Sequence, residues 1–212
     1  MPLRNLAALG GLFVLAACGG SGSSTLVAPS FADLDAVRGE SLDILAEFAT
    51  LDAASANDIP ASGSATYSGV VTITDENGGS LDASVIGGMA LAVDFGNDDS
   101  VSAVAENFFD ADGTAVEGSL TADNQSLDRS GLIPGMTLNL EGQLSNVGVG
   151  DDVADFDYRA EVSGIFLGSD LEGIVFSPSS GDLLGRPADT TATEVGSTTF
   201  RDLGFVATLE QD

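Results

Sequence analysis

The chain has 212 residues, of which 33 are acidic and only 6 are basic, and its formal net charge is −27. It contains no His, and all six basic residues are Arg, which excludes a Ser-His-Asp triad, an imidazole metal site, a P-loop lysine and a Schiff-base lysine. Six Arg among 33 acids cannot form a basic surface for nucleic acid, whereas an apolar content of 43% is enough to build a folded core.

Residues 1–17 have the features of a lipoprotein signal peptide. Arg4 supplies the positive start, and the apolar run that ends at Ala17 is too short to span a bilayer. The run ends in Leu-Ala-Ala-Cys, which matches the bacterial lipobox, and Cys18 is the only cysteine. We therefore predict signal cleavage between Ala17 and Cys18 and lipidation of Cys18. The alternative is a non-lipidated secretory signal with an incidental cysteine.

Residues 18–29 read as a flexible linker, because they begin with a Gly/Ser-rich stretch that has little to bury. Gly19 follows the cysteine, and this resembles lipoproteins that are sorted to the outer membrane. We predict a protein that is attached to the cell outer membrane by its lipid anchor. The sequence leaves open whether it faces the periplasm or the cell surface.

Residues 30–58 form a short amphipathic helical segment in this interpretation. Ser30 is a plausible N-cap, and Gly39 is expected to bend or break the helix. Apolar residues recur mostly every third position, at Phe31, Leu34, Val37, Leu42, Leu45 and Phe48. We expect the segment to pack on the main domain. A partner-docking helix is the alternative, and nothing in the sequence favours it.

Residues 60–212 change to a period of two, with turn signals between segments rich in Val, Ile, Leu, Phe and Thr. This pattern predicts an all-β domain, a single soluble eight-stranded antiparallel β-barrel. The expected strands lie near 64–74, 82–95, 100–109, 115–121, 136–146, 155–166, 171–177 and 198–209. A transmembrane barrel is disfavoured, because aromatic girdles would need more than the 11 Phe and 2 Tyr present.

Three segments carry a resemblance to a known family. They are Gly63-Ser-Ala-Thr-Tyr-Ser-Gly69, Gly88-Met-Ala-Leu-Ala-Val-Asp-Phe95, and Gly164-Ile-Phe-Leu-Gly168 followed by Glu172-Gly-Ile-Val-Phe176. In order and spacing, behind a lipobox, they resemble the transferrin-binding-protein-like β-barrel domain of bacterial surface lipoproteins, over about residues 60–209.

The resemblance implies an eight-stranded barrel that binds proteins, since family members bind host iron carriers, haem proteins or complement regulators, and it implies no catalysis. The chain departs from the family in two respects. Glu172-Gly173 stands where the late hairpin often has Gly-Gly, and residues 25–60 are too short for the handle domain of larger members. The partner therefore cannot be carried over.

Carboxylates are the remaining candidates for chemistry. Asp98-Asp99, Asp151-Asp152, Asp155-Asp157 and Asp170-Glu172 could form an acid/base pair, but chance pairs are expected among 33 acids and most of these lie in turns. Asp110-Ala-Asp-Gly113 resembles half of a calcium loop, yet it lacks a third ligand and is better explained as a hairpin turn. We expect no enzyme activity, no metal and no cofactor.

The sequence thus favours a lipid-anchored module that binds an unidentified protein partner, with iron or haem carrier capture as one option. A lipocalin-like carrier of a small apolar ligand and a structural envelope lipoprotein are the alternatives. A continuous cavity inside the barrel would favour the carrier, and a packed interior would favour the protein binder. The five arginines that follow the signal are expected to act as ion-pair centres, and Tyr67 and Tyr158 to lie in the barrel interior or at its rim.

Overall fold

The computed structural model describes residues 26–75, 84–96, 99–149, 152–187 and 201–211. They form one helix and eight strands. The helix α1 spans Leu34–Phe48. The strands are β1 (Ser64–Asp75), β2 (Val85–Asp94), β3 (Ser100–Asp110), β4 (Ala115–Asp128), β5 (Gly135–Val149), β6 (Asp152–Leu167), β7 (Gly173–Pro187) and β8 (Arg201–Gln211). The prediction of an all-β, eight-stranded fold is confirmed.

The strands form one antiparallel sheet in sequence order, in which each strand pairs with its neighbours in the chain. β8 also pairs with β1, from Tyr67 opposite Gln211 to Asp75 opposite Leu203, so that the sheet closes into a barrel. Closure satisfies the backbone groups of both strands that would otherwise form open edges.

Alternating side chains of the strands fill the barrel. In β6, every second residue from Phe156 to Phe166 is buried, while the residues between them are exposed or half-buried. The interior cluster is apolar and includes aromatic rings in contact, since the ring centroids of Tyr67 and Phe95 each lie 6.1 Å from that of Phe166. Burial of this surface is the main force that holds the barrel together.

Helix α1 lies against the outside of the barrel and covers an apolar part of the wall. Its buried residues Leu34, Val37, Ile44 and Phe48 pack with Val70 and Leu167. Half-buried apolar side chains of the neighbouring strands join this cluster, namely Ile86, Phe109, Ile165 and Val175. The packing interpretation of the helical segment is therefore confirmed.

Three details of the helix prediction are wrong. The N-cap is Asp33 rather than Ser30, because the Asp33 carboxylate accepts a hydrogen bond from the Ala36 amide at 2.9 Å. Gly39 does not break the helix, which continues through it to Phe48. Leu42 and Leu45, expected on the buried stripe, are 67% and 45% exposed, since the buried stripe passes through Ile44 instead.

The segments on either side of α1 also attach to the barrel. The Asn107 amide donates to the Pro29 carbonyl at 3.1 Å, and a side chain at Gly88 would collide with that carbonyl. After the helix, the Ala54 amide donates to the Phe166 carbonyl at 2.9 Å, and Ile59 is buried in the interior cluster. Residues 26–63 therefore form a strap across the barrel, and its last part closes one barrel end.

Two segments of residues that are typical of turns lie inside strands. Ala122-Asp123-Asn124 lies in β4, and Ser177-Pro178-Ser179-Ser180-Gly181 lies in β7. At both places the pairing with the neighbouring strands shifts register, so extra residues are accommodated as bulges. In these two segments, the Gly, Pro, Asn and Ser residues therefore lie at bulges within a strand and not at the end of a strand.

Several predicted features fall outside the described residues: Ala17 and Cys18 of the signal, and Asp98 and Asp151 of the carboxylate pairs. Within the residues that the structure does describe, no helix has both the length and the hydropathy needed to cross a bilayer.

Candidate binding surface

Three connections meet at one end of the barrel because the strands are antiparallel and consecutive. Their described residues are 95–96 and 99 between β2 and β3, 129–134 between β4 and β5, and 168–172 between β6 and β7. We call these three connections the clamped end. Residues 58–63 of the strap lie at this end too, where the chain enters β1.

Arg129 joins three of these segments. Its guanidinium forms a two-point ion pair with Asp99, with Nη2 2.6 Å from Oδ1 and Nε 2.9 Å from Oδ2. Nη1 also donates to the Pro60 carbonyl at 2.7 Å, and Nη2 donates to the Phe95 carbonyl at 3.2 Å. The planar guanidinium suits such two-point binding, and it ties the β2–β3 turn, the β4–β5 loop and the strap into one unit.

The electrostatics of this end follow from these bonds. The hydrogen bonds from Arg129 lower the pKa of Asp99, and those to Asp99 raise the pKa of Arg129. Hydrogen bonds from Ser130 lower the pKa of Asp128, first from its hydroxyl and then from its amide. Both carboxylates are therefore ionised at neutral pH.

The β4–β5 loop projects an apolar tip. Leu132 is 96% exposed and Ile133 is 52% exposed, although both have large apolar side chains. Pro134, the next residue, is buried. The base of the loop is fixed by Arg129 and by the Asp128 carboxylate, which accepts from the Ser130 amide at 2.8 Å. The tip thus presents apolar surface on a rigid support.

A depression of about 290 Å³ lies at the same end. Its walls include Asp58, Pro60, Phe95, Asp170 and Leu171. Hydrogen bonds from the Ser55 hydroxyl and amide lower the pKa of Asp58. The depression is therefore polar and bears negative charge, and it adjoins the carbonyls that Arg129 binds.

The described members of the predicted carboxylate pairs lie in turns or on the outer face of β6. Asp99 is occupied by Arg129, and Asp98 lies outside the described residues. The Asp155 carboxylate accepts from the Asn146 amide at 3.2 Å, and that of Asp157 from the Gln143 side chain at 3.3 Å. Asp170 and Glu172 are exposed in the β6–β7 connection, and the side chain of Asp152 is not described.

Asp110-Ala-Asp-Gly113 forms the turn between β3 and β4, as the turn interpretation predicts. The Asp110 carboxylate accepts from the amides of Asp112 and Thr114 at 3.0 and 2.8 Å. Gly113 has a φ of 84°, a conformation that favours glycine. Among the described residues, no three acidic or thiol side chains lie close enough together to hold a metal ion.

Both tyrosines lie in the barrel interior. Tyr67 is completely buried, and burial raises the pKa of its hydroxyl. Tyr158 is buried beside Phe156, with ring centroids 6.0 Å apart. Their predicted placement inside the barrel is confirmed.

Arginine ion pairs are confirmed at two positions, Arg129 with Asp99 and Arg159 with Glu141. Arg38 lies on α1 beside a cleft of about 170 Å³ between the helix and the wall formed by β1, β2 and β3. The side chains of Arg186 and Arg201 are not described.

Sequence analysis missed the apolar tip at Leu132 and Ile133. The sequence carries a signal for it, because these two large apolar residues fall between Gly131 and Pro134, outside every predicted strand. Apolar residues in a predicted loop have no core to enter, and this marks them for a surface role.

Comparison with solved structures finds a low similarity to transferrin-binding protein B (TbpB). The vaccine antigen TbpB from Haemophilus parasuis Hp5 is 16% identical with a TM-score of 0.40, and intact Ap-TbpB with its N and C lobes is 17% identical with a TM-score of 0.40. Each match covers 76% of this chain and 28% of the other, so the chain spans less than a third of those proteins. No protein-family model matches the chain. No curated protein is significantly similar to it.

Proposed function

We propose that the chain is a lipid-anchored outer-membrane lipoprotein whose barrel stands in water and binds a protein partner through its outer surface. The anchor is the predicted lipidated Cys18. No covalent chemistry is part of this proposal, and the barrel acts by contact.

The packed interior of the barrel is the observation that carries the binding proposal. Large side chains from the strands, among them Tyr67, Phe108, Phe166 and Phe176, are completely or almost completely buried and fill the space between the walls. A lipocalin-like carrier would need that space for its ligand. The filled interior therefore supports recognition on the outside of the molecule.

The outer wall supports a barrel that stands in water. Outward-facing residues of β5 and β6 are polar or charged and exposed, including Thr137, Glu141, Gln143, Arg159 and Glu161. A lipid-facing wall would carry an apolar band at these positions. The apolar part of the wall is instead covered by α1.

A narrower form of the proposal concerns the partner. The three family-like segments support a host iron or haem carrier as the first partner class to test, because family members bind such proteins. Transferrin and haemoglobin are suitable probes.

Lipidation can be tested on the full chain expressed in a bacterial host, with Cys18→Ser as the matched variant. We expect the intact mass of the wild type, extracted from membranes, to equal that of the chain from Cys18 onward plus acyl groups. The Cys18→Ser chain should carry no acyl mass and should leave the membrane fraction. A wild-type mass without acyl groups would contradict the anchor.

Binding can be tested with the wild-type full chain purified from membranes in detergent. Immobilised chain is incubated with transferrin, with haemoglobin and, separately, with a fluorescent fatty acid. We expect one of the proteins to be retained and the fatty acid to show no saturable binding. Stoichiometric binding of the fatty acid with no protein retained would favour the carrier instead.

A further inference from the structure

We propose that the clamped end is the docking surface and that its partner is a basic protein surface with an apolar hollow. This inference rests on the proposed binding function and adds to it the location of the contact and the chemistry of the partner. Leu132 and Ile133 would enter the hollow, and the carboxylates of this end would meet Lys or Arg side chains.

The first argument is that the apolar tip is exposed and held in place. Leu132 is the most exposed large apolar side chain among the described residues, and Ile133 lies next to it. The loop cannot easily fold these side chains away, because Arg129 fixes its base to Asp99 and to the Pro60 carbonyl. A tip that is already ordered loses little conformational entropy on binding, which favours affinity.

The second argument is the charge of this end of the barrel. Exposed carboxylates at this end come from each of the neighbouring strands or connections, namely Asp94, Asp128, Asp170 and Glu172. Asp58 and Asp170 also line the depression, which has room for a long basic side chain. Among the residues of this end that the structure describes, the one arginine is Arg129, and it is already paired with Asp99. This end of the barrel therefore combines negative charge with an exposed apolar tip, and protein interfaces commonly combine apolar contacts with charge complementarity.

The charge also decides between possible occupants. A second copy of the chain would bring the same negative charge against this one, and like charges across an interface are repelled. A bilayer that took up the tip would approach the carboxylates of this end, and an anionic membrane surface would repel them. A basic protein surface with an apolar hollow can bury the apolar tip and also form ion pairs with the carboxylates of this end.

The test uses the full chain and two matched amphipathic peptides, one built of Leu and Lys and one of Leu and Glu. The tip variant is Leu132→Ser with Ile133→Ser. The control variant is Leu42→Ser with Leu45→Ser, which removes another exposed apolar pair, on α1. Fluorescence anisotropy of the labelled peptides gives the affinities, and unfolding curves verify that each variant is folded.

We expect the Lys peptide to bind the wild type and the control variant equally, and the tip variant about tenfold more weakly. The Glu peptide should not bind. Equal binding of the Lys peptide to all three chains would overturn the proposal, because it would show attraction by net charge alone. Tip-dependent dimerisation of the chain, or tip-dependent binding to phosphatidylcholine vesicles, would overturn it in favour of the other occupants.

The two proposals can fail separately. If the tip variant retains transferrin or haemoglobin as well as the wild type does, the docking surface is wrong and the binding function stands. If the wild type retains neither protein but binds the Lys peptide through the tip, the docking surface stands and the iron or haem carrier is wrong.

Discussion

Arg129 is bound on several sides. Its side chain is 31% exposed and that of Asp99 is 27% exposed, whereas Arg159 and Glu141 are 70% and 59% exposed at a single contact of 3.2 Å. A partly buried, two-point pair with two further carbonyl bonds contributes more to stability than an exposed pair does.

We expect Arg129→Met to lower the free energy of unfolding by about 1–3 kcal/mol, because it removes the ion pair and leaves two carbonyls unbonded. Arg159→Met is the matched control and should change it by less than about 0.5 kcal/mol. Urea unfolding at pH 7 measures both. Equal effects of the two substitutions on the free energy of unfolding would show that the bonds of Arg129 add no more stability than an exposed ion pair does.

The stabilisation by the Arg129–Asp99 ion pair should depend on pH. Because Arg129 lowers the pKa of Asp99 in the folded chain, the stabilisation is present above the unfolded pKa near 4 and is lost as the pH falls through the folded pKa. The destabilisation caused by Asp99→Asn at pH 7 should therefore shrink below about pH 4. A difference between wild type and Asp99→Asn that stays constant down to pH 2 would contradict this assignment.

At the scale of single elements, the sequence predicted the strands better than it predicted their ends. Period-two alternation is a direct consequence of a sheet with one buried face, and this pattern located all eight strands. The bulged parts of β4 and β7 are rich in Gly, Pro, Asn and Ser, residues that occur in both turns and bulges, so composition alone does not place the strand ends there. The clamped end could not be foreseen, because Arg129 and Asp99 lie 30 residues apart and meet only through the register of the sheet.

In helix α1, too, the sequence pattern predicted the element but not which of its residues are buried, and substitutions can test the packed face. The apolar spacing predicted Leu42 on the buried stripe, yet Ile44 is 1% exposed and Leu42 is 67% exposed, because the helix turns Ile44 toward the wall. Ile44→Ala should lower the free energy of unfolding by about 2–4 kcal/mol, and Leu42→Ala should change it by less than about 0.5 kcal/mol. Thermal or urea unfolding of the two variants distinguishes them. The reverse order would mean that the other face of α1 is the one that packs.

For the whole molecule, the excess of acidic residues lowers the stability of the folded state. A net charge of −27 repels itself more strongly in the compact state than in the unfolded chain. Raising NaCl from about 10 mM to 300 mM should therefore raise the melting temperature at pH 7, because salt screens the repulsion. Near the pI of about 4.1 the effect should largely disappear. A melting temperature that does not respond to salt at pH 7 would mean that the carboxylates are too far apart to repel one another.

The pairing of β1 with β8 has a consequence for how the chain folds. Every other strand pair joins neighbours in sequence and can form as soon as its hairpin is made. The β1–β8 pair instead requires contacts between distant positions, such as Tyr67 and Gln211. Contacts between such distant positions are slow to form. Until the final strand arrives, β1 keeps one unpaired edge, and a partly folded chain could aggregate through it. Substitutions that weaken β8 should therefore slow refolding and increase aggregation more than equally destabilising changes in the middle of the sheet.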